Sequence, residues 1–162
     1  MRTIVDLMRG PFESFFPMPT WRPWVLLAAA AFGLTYGLSP DDEAFILRCL
    51  GRKELPRTPA TGLRLVIGRR GGKSRFTSFL AVYLACFRDY GAVLAPGERG
   101  TLMIICPDRK QARVVLGYIA AFLEHPMLAG LVVSFLPIVR HTLPGIGGQA
   151  LSPDWGPPVF GR

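Results

Sequence analysis

Seven consecutive residues, Gly68-Arg69-Arg70-Gly71-Gly72-Lys73-Ser74, have the composition of a loop that holds phosphate groups. Such a loop needs backbone N–H groups turned inward, which glycines permit because they carry no side chain and accept positive φ. It needs a helix behind it, whose N-terminus presents the positive end of the helix dipole. It also needs a lysine that reaches the β- and γ-phosphates and a hydroxyl that can hold Mg2+. Lys73 and Ser74 fill the last two roles, and Gly68, Arg69, Arg70, Gly71 and Gly72 supply the amides. The full spacing GxxxxGK[ST] would place glycine at position 67, where the chain has Ile67 and then Gly68. A glycine-rich turn capped by Ser74 is the plain alternative.

The neighbouring segments must position that loop. The apolar run LRLVI at 63–67 predicts a short strand leading into it. A helix is predicted over 73–87, because Phe76, Phe79, Leu80, Tyr83, Leu84 and Phe87 recur at helical spacing. After a loop at 91–100, TLMIIC at 101–106 predicts a second strand, apolar as a buried parallel strand would be. Pro107 and Asp108 open a further helix, with Asp108 and Gln111 three apart as in a capping box. Its apolar positions are Val114, Val115, Tyr118, Ile119, Phe122 and Leu123. The order strand, loop, helix, strand, helix predicts an α/β fold, a partial P-loop NTPase with a doubly wound parallel sheet.

An N-terminal helical region precedes this core. Residues 1–20 mix Pro11, Pro17 and Pro19 with aromatics and are expected to form an irregular arm. A helix is predicted over 24–34. A second starts at Ser39-Pro40-Asp41-Asp42-Glu43, where Ser39 caps, Pro40 suits the first position and the acids suit the positive helix end. It should run to Leu50 and stop at Gly51. Residues 52–62, with Pro56 and Pro59, read as a linker. The expected organisation is therefore an arm and helical region at 1–61, a partial ATPase core at 62–133, and a Pro/Gly-rich irregular tail at 134–162.

The chain has 162 residues, half of them hydrophobic, a formal net charge of +8 and a pI near 10.1. That balance excludes a disordered polypeptide and favours a polyanionic partner. Arg48, Arg52, Lys53, Arg57, Arg64, Arg69, Arg70, Lys73 and Arg75 are set against the single acid Glu54, a cluster able to neutralise phosphates or to form a solvated basic face. Cys49, Cys86 and Cys106 are odd in number and far apart, which excludes a disulfide framework or zinc site. Cys86 and Cys106 read as buried, reduced core residues, so a cytoplasmic setting is expected. The uncharged stretch at 23–40 is interrupted by Gly33, Thr35 and Gly37, and its dense part is too short to span a bilayer. A buried helix, and no membrane partner, is the expectation. His125 and His141 are isolated from each other and from acids, as surface or loop residues would be.

The segment Val66-Ile67-Gly68-Arg69-Arg70-Gly71-Gly72-Lys73-Ser74-Arg75 resembles the deviant phosphate loop (Walker A) of phage terminase large subunits, the ATP-driven motors that package DNA into viral procapsids. That family often lacks the first glycine and carries basic residues inside the loop. Met103-Ile104-Ile105-Cys106-Pro107-Asp108-Arg109-Lys110-Gln111-Ala112 is similar to the strand and helix start that follow in the same domain, and Leu38-Ser39-Pro40-Asp41-Asp42-Glu43 resembles phage relatives less specifically. The resemblance covers about residues 20–130. It implies binding of ATP with Mg2+, Lys73 on the β/γ-phosphates, Ser74 on the metal, and Arg69 or Arg70 on the terminal phosphate; Lys73 and Arg70 are then the catalytic candidates. It also implies double-stranded DNA, portal protein and small terminase subunit as partners of the full-length family, assembly into a homo-oligomer only if complete, and the host cell cytoplasm as location. The adenine pocket of relatives draws on the segment before the loop, which makes Trp21 and Trp24 candidates to stack on adenine, against core packing as the competing reading.

Phosphoryl transfer needs a further acid at a strand end and a group that orients water. After residue 101 the acids are Asp108, Glu124 and Asp154, and none ends an apolar strand. Nor is there the acid cluster of a two-metal nuclease. These features predict an incomplete, truncated or frameshifted terminase that binds nucleotide weakly and turns it over negligibly. Competing expectations are another P-loop protein, such as a helicase-like ATPase or a small nucleotide kinase, a non-enzymatic basic DNA-binding module, and a membrane-associated protein using 21–38.

Overall fold

The computed structural model describes residues 2–131, which form six α-helices and one 3-10 turn. The helices are α1 (Ile4–Arg9), α2 (Arg22–Ala31), α3 (Pro40–Leu50), α4 (Lys73–Phe87), α5 (Arg109–Leu123) and α6 (Pro126–Ala129). They gather into two units, Met1–Gly71 and Gly72–Arg162. The irregular tail expected from 134, with Asp154 and His141, lies outside the described residues.

The first unit is built around α2. Its sequence RPWVLLAAAA buries Trp24, Val25, Leu26, Ala28, Ala29 and Ala30, so apolar residues cover most of its circumference, as in a central core helix. At 10 residues it is only about 15 Å long, half a bilayer core. No helix among the described residues is long and apolar enough to cross a membrane. Beside it, α3 forms as its sequence predicts. Ser39 Oγ accepts the Asp42 amide, Pro40 stands at the first position, and Gly51 closes the helix at φ 62°. Leu26, Ala30 and Ile46 form a cluster on which Leu38, Phe45, Leu50 and Leu55 pack.

The first twenty residues are not the irregular arm their prolines suggest. Thr3 and Asp6 form a reciprocal capping box that starts α1, and a 3-10 turn follows at Glu13–Phe15. Ile4, Leu7, Met8, Phe12 and Phe16 are buried. The prolines sit outside α1, in turns, and the aromatics between them supply core.

In the second unit α4 and α5 pack together. The Phe79 and Phe122 rings lie 5.1 Å apart, and Ser78 Oγ, fully buried, donates to the Ser74 and Val115 carbonyls. Phe76, Phe79, Tyr83, Val115, Ile119, Phe122 and Leu123 are buried, which matches the helical spacing read from the sequence; Val114 is exposed. Asp108 caps α5 by accepting the Gln111 amide at 2.8 Å, and the Gln111 side chain donates back to the same carboxylate. Glu124 ends α5.

The expected parallel sheet is absent: the described residues contain no strand, and the α/β assignment gives way to a helical fold. The 63–67 and 101–106 segments run as irregular chain with no strand pairing. A parallel strand is stabilised only when neighbours pair with its backbone and helices cover both its faces. Neither condition holds, since Leu63, Leu65, Val66, Leu102, Met103 and Ile105 are all exposed. The apolar surface of α4 and α5 is instead spent on helix-to-helix contact. Cys86 and Cys106 are only partly buried, and Cys49 is exposed.

Candidate phosphate-binding loop

Gly68–Gly71 belong to the first unit and Gly72–Ser74 to the second. In the first part, the Gly71 amide donates to the Gly68 carbonyl at 3.4 Å, closing a four-residue turn. Arg70 occupies its third position with φ 60°. Positive φ there is the mark of a type II turn, in which glycine or asparagine is usual. For an L-residue with a Cβ this conformation costs about 1–2 kcal/mol, so Arg70 holds backbone strain at the candidate site. A Cβ on Gly71 would lie 2.6 Å from Ile67 Cγ2, which is why this position takes glycine.

The turn is tied to α2. The Trp24 indole N–H donates to the Gly71 carbonyl at 2.9 Å, across 47 residues of sequence. Trp24 is buried against Trp21, and Trp21 packs edge-on to Phe16 with ring centroids 5.1 Å apart. Both tryptophans are thus core residues, and the adenine-stacking candidacy is replaced, for Trp24, by a positioning role. Nothing in the sequence links Trp24 to Gly71; only the fold brings them together.

In the second part, Gly72 stands immediately before α4 with φ 85°, a left-handed conformation that favours glycine. The Phe76 amide donates to the Gly72 carbonyl, the first bond of the helix. Like α2, α4 opens with no side-chain cap and no acid in its first turn, whereas α1, α3 and α5 are each capped by a side chain. It opens instead with Lys73 and Arg75. Cations near a helix N-terminus oppose the dipole, by about 0.3–1 kcal/mol each at exposed positions. The same arrangement favours an anion bound there. The predicted start of α4 at Lys73 is observed.

Gly68, Arg69, Arg70, Gly71 and Lys73 are exposed, while Gly72 and Ser74 are partly buried. Arg75 is turned toward α5, its guanidinium 5.4 Å from the Tyr118 ring centroid. Ser74 is one hydroxyl donor-acceptor of the kind Mg2+ accepts, but Mg2+ ordinarily also takes one or two carboxylates beside the nucleotide phosphates. Asp108 is engaged in capping α5, and among the described residues no three His, Cys, Asp or Glu side chains cluster. The residues present therefore fit phosphate better than metal. His125 caps α6, its Nδ1 accepting the Met127 amide.

The chain matches no protein-family model, no curated protein and no solved structure.

Proposed function

We propose that Gly68–Ser74 bind the phosphates of ATP, and that this chain is the ATP-binding portion of a viral DNA-packaging motor of the terminase large-subunit kind, acting in the host cytoplasm on double-stranded DNA. The observation that carries the phosphate reading is local. Within the second unit, Gly72 at φ 85° leads into α4, a helix with no side-chain cap whose first residue is Lys73. The amides of that first turn and the Lys73 ammonium answer the same ligand, a compact polyanion. Arg69 and Arg70 add exposed positive charge on the turn. The motor assignment rests on the residue types of 66–75 and of the helix start at 107–112, without the flanking strands that the family has.

In this reading Lys73 neutralises the β/γ-phosphates and Ser74 meets Mg2+ that arrives with the nucleotide. Trp24 holds Gly71 so that the turn keeps its shape. The chain binds without appreciable turnover by itself, because the two described acids after residue 101 are a helix cap and a helix end. A basic module gripping DNA without nucleotide is the second reading, favoured by the exposure of Arg48, Arg52, Lys53, Arg57, Arg64, Arg69 and Arg70. Equilibrium binding of a fluorescent ATP analogue decides between them. The nucleotide reading expects saturable binding that Lys73→Ala weakens by about tenfold or more, the scale of one charge-assisted contact. Absence of binding, or binding indifferent to Lys73, would overturn it.

A further inference from the structure

Within the first unit, Tyr36 stands 74% exposed. The Arg57 guanidinium lies over its ring, 4.4 Å from the centroid. Arg57 is not a loose surface side chain: its Nη1 donates to the Thr35 carbonyl at 2.9 Å. The backbone beneath it is fastened as well. Thr35, fully buried, donates through Oγ1 to the Pro56 carbonyl at 2.7 Å, and the Ala60 amide donates to the Ala31 carbonyl at 2.8 Å. Gly33, at φ 68°, lies so close to this strap that an added Cβ would meet the Thr58 nitrogen at 2.6 Å. The segment expected to be a linker is therefore docked on the end of α2, and it presents a planar cation and an aromatic ring already stacked.

A tyrosine this exposed buries little apolar area for the fold, yet an arginine is ordered over its ring. The exposed cations Arg48, Arg52, Lys53, Arg57 and Arg64 follow Tyr36 in sequence, together with the acids Asp41, Asp42, Glu43 and Glu54, of which Asp42 is paired with Arg22 and engaged at the Ser39 cap. Phosphate-attracting cations interleaved with an open ring are what a single strand of nucleic acid requires, since its backbone follows the charge and its bases stack on the ring. A duplex does not satisfy the ring, because its base faces are already stacked on each other. A free phosphate uses the cations and ignores the ring.

We propose that Tyr36, backed by Arg57, is a stacking platform for one base of a single-stranded nucleic acid, a site separate from the Gly68–Ser74 loop and independent of the ATP reading. The test uses the full chain and a fluorescein-labelled oligothymidylate, followed by anisotropy over a salt series, with a duplex of equal length alongside. The expected result is preference for the single strand, with Tyr36→Ala weakening it by about 5- to 150-fold, the range for one stacked base. Tyr36→Phe should bind within about twofold of the parent, since the π-face is what counts. Tyr36→Ala should leave the slope of log affinity against log salt unchanged, because the ring neutralises no phosphate. Because Tyr36 is exposed, the variant should melt as the parent does. No binding of the single strand, equal binding of the duplex, or a Tyr36→Ala protein that binds like the parent would each overturn the proposal.

Discussion

Replacing Trp24 by phenylalanine removes the indole hydrogen bond to the Gly71 carbonyl while keeping an aromatic ring in the core. Two effects follow, and they separate. The smaller ring leaves unfilled space among Phe16, Trp21 and α2, which costs about 1 kcal/mol of stability. The lost bond is worth about 0.5–1.5 kcal/mol, and toward the lower end here, because Gly71 is exposed and water can take the place of the indole. Only the second effect reaches the loop. ATP-analogue affinity should therefore fall by about 2- to 10-fold, against a loss of stability nearer 2 kcal/mol. Trp21→Phe is the comparison, since it shrinks the same aromatic cluster without touching Gly71. Paired urea unfolding and analogue titration measure both quantities for both variants. If Trp24→Phe and Trp21→Phe change affinity alike, or Trp24→Phe leaves it unaltered, the indole does not position the loop.

Gly33→Ala should destabilise the first unit by more than about 2 kcal/mol in urea unfolding, because it adds both left-handed strain and a clash with the Thr58 backbone; a variant as stable as the parent would mean the strap at 56–60 is not docked. The carboxyls of Asp6 and Asp108 are held below their ordinary pKa by hydrogen bonds, Asp6 chiefly from the Thr3 hydroxyl and Asp108 chiefly from the Gln111 amide. A lowered folded-state pKa means the contribution is complete above the ordinary carboxylate value near 3.8 and is lost as pH falls through the lowered one. Melting temperature should accordingly drop on acidification below about pH 4, and less steeply in an Asp6→Asn/Asp108→Asn double variant, whose caps do not titrate. Ile105, 84% exposed, and Met103, 76% exposed, lie in an uncharged stretch of high β-propensity, the composition that promotes association between chains. Ile105→Lys should raise the soluble fraction after centrifugation while leaving the melting temperature unchanged, and a pellet as large as the parent's would count against that.

The elements whose causes are local can be read from residue types alone. Ser39, Pro40 and Gly51 delimit α3; Asp108 and Gln111 start α5; the Gly72-Lys73 junction starts α4. Each is set by groups within four residues of one another, so the pattern of residue types suffices. An apolar run records only a preference for burial, and whether it becomes a strand depends on partners elsewhere in the chain. At 63–67 and 101–106 those partners are not met. The candidate loop divides the same way. Its glycines, Lys73 and Ser74 are legible as residue types, whereas the Trp24 bond to Gly71, like the Arg57 guanidinium over Tyr36 elsewhere in the first unit, comes from the tertiary fold. Contacts across 47 or 21 residues leave no periodic trace, because the chain between them does not repeat the geometry that brings the two ends together.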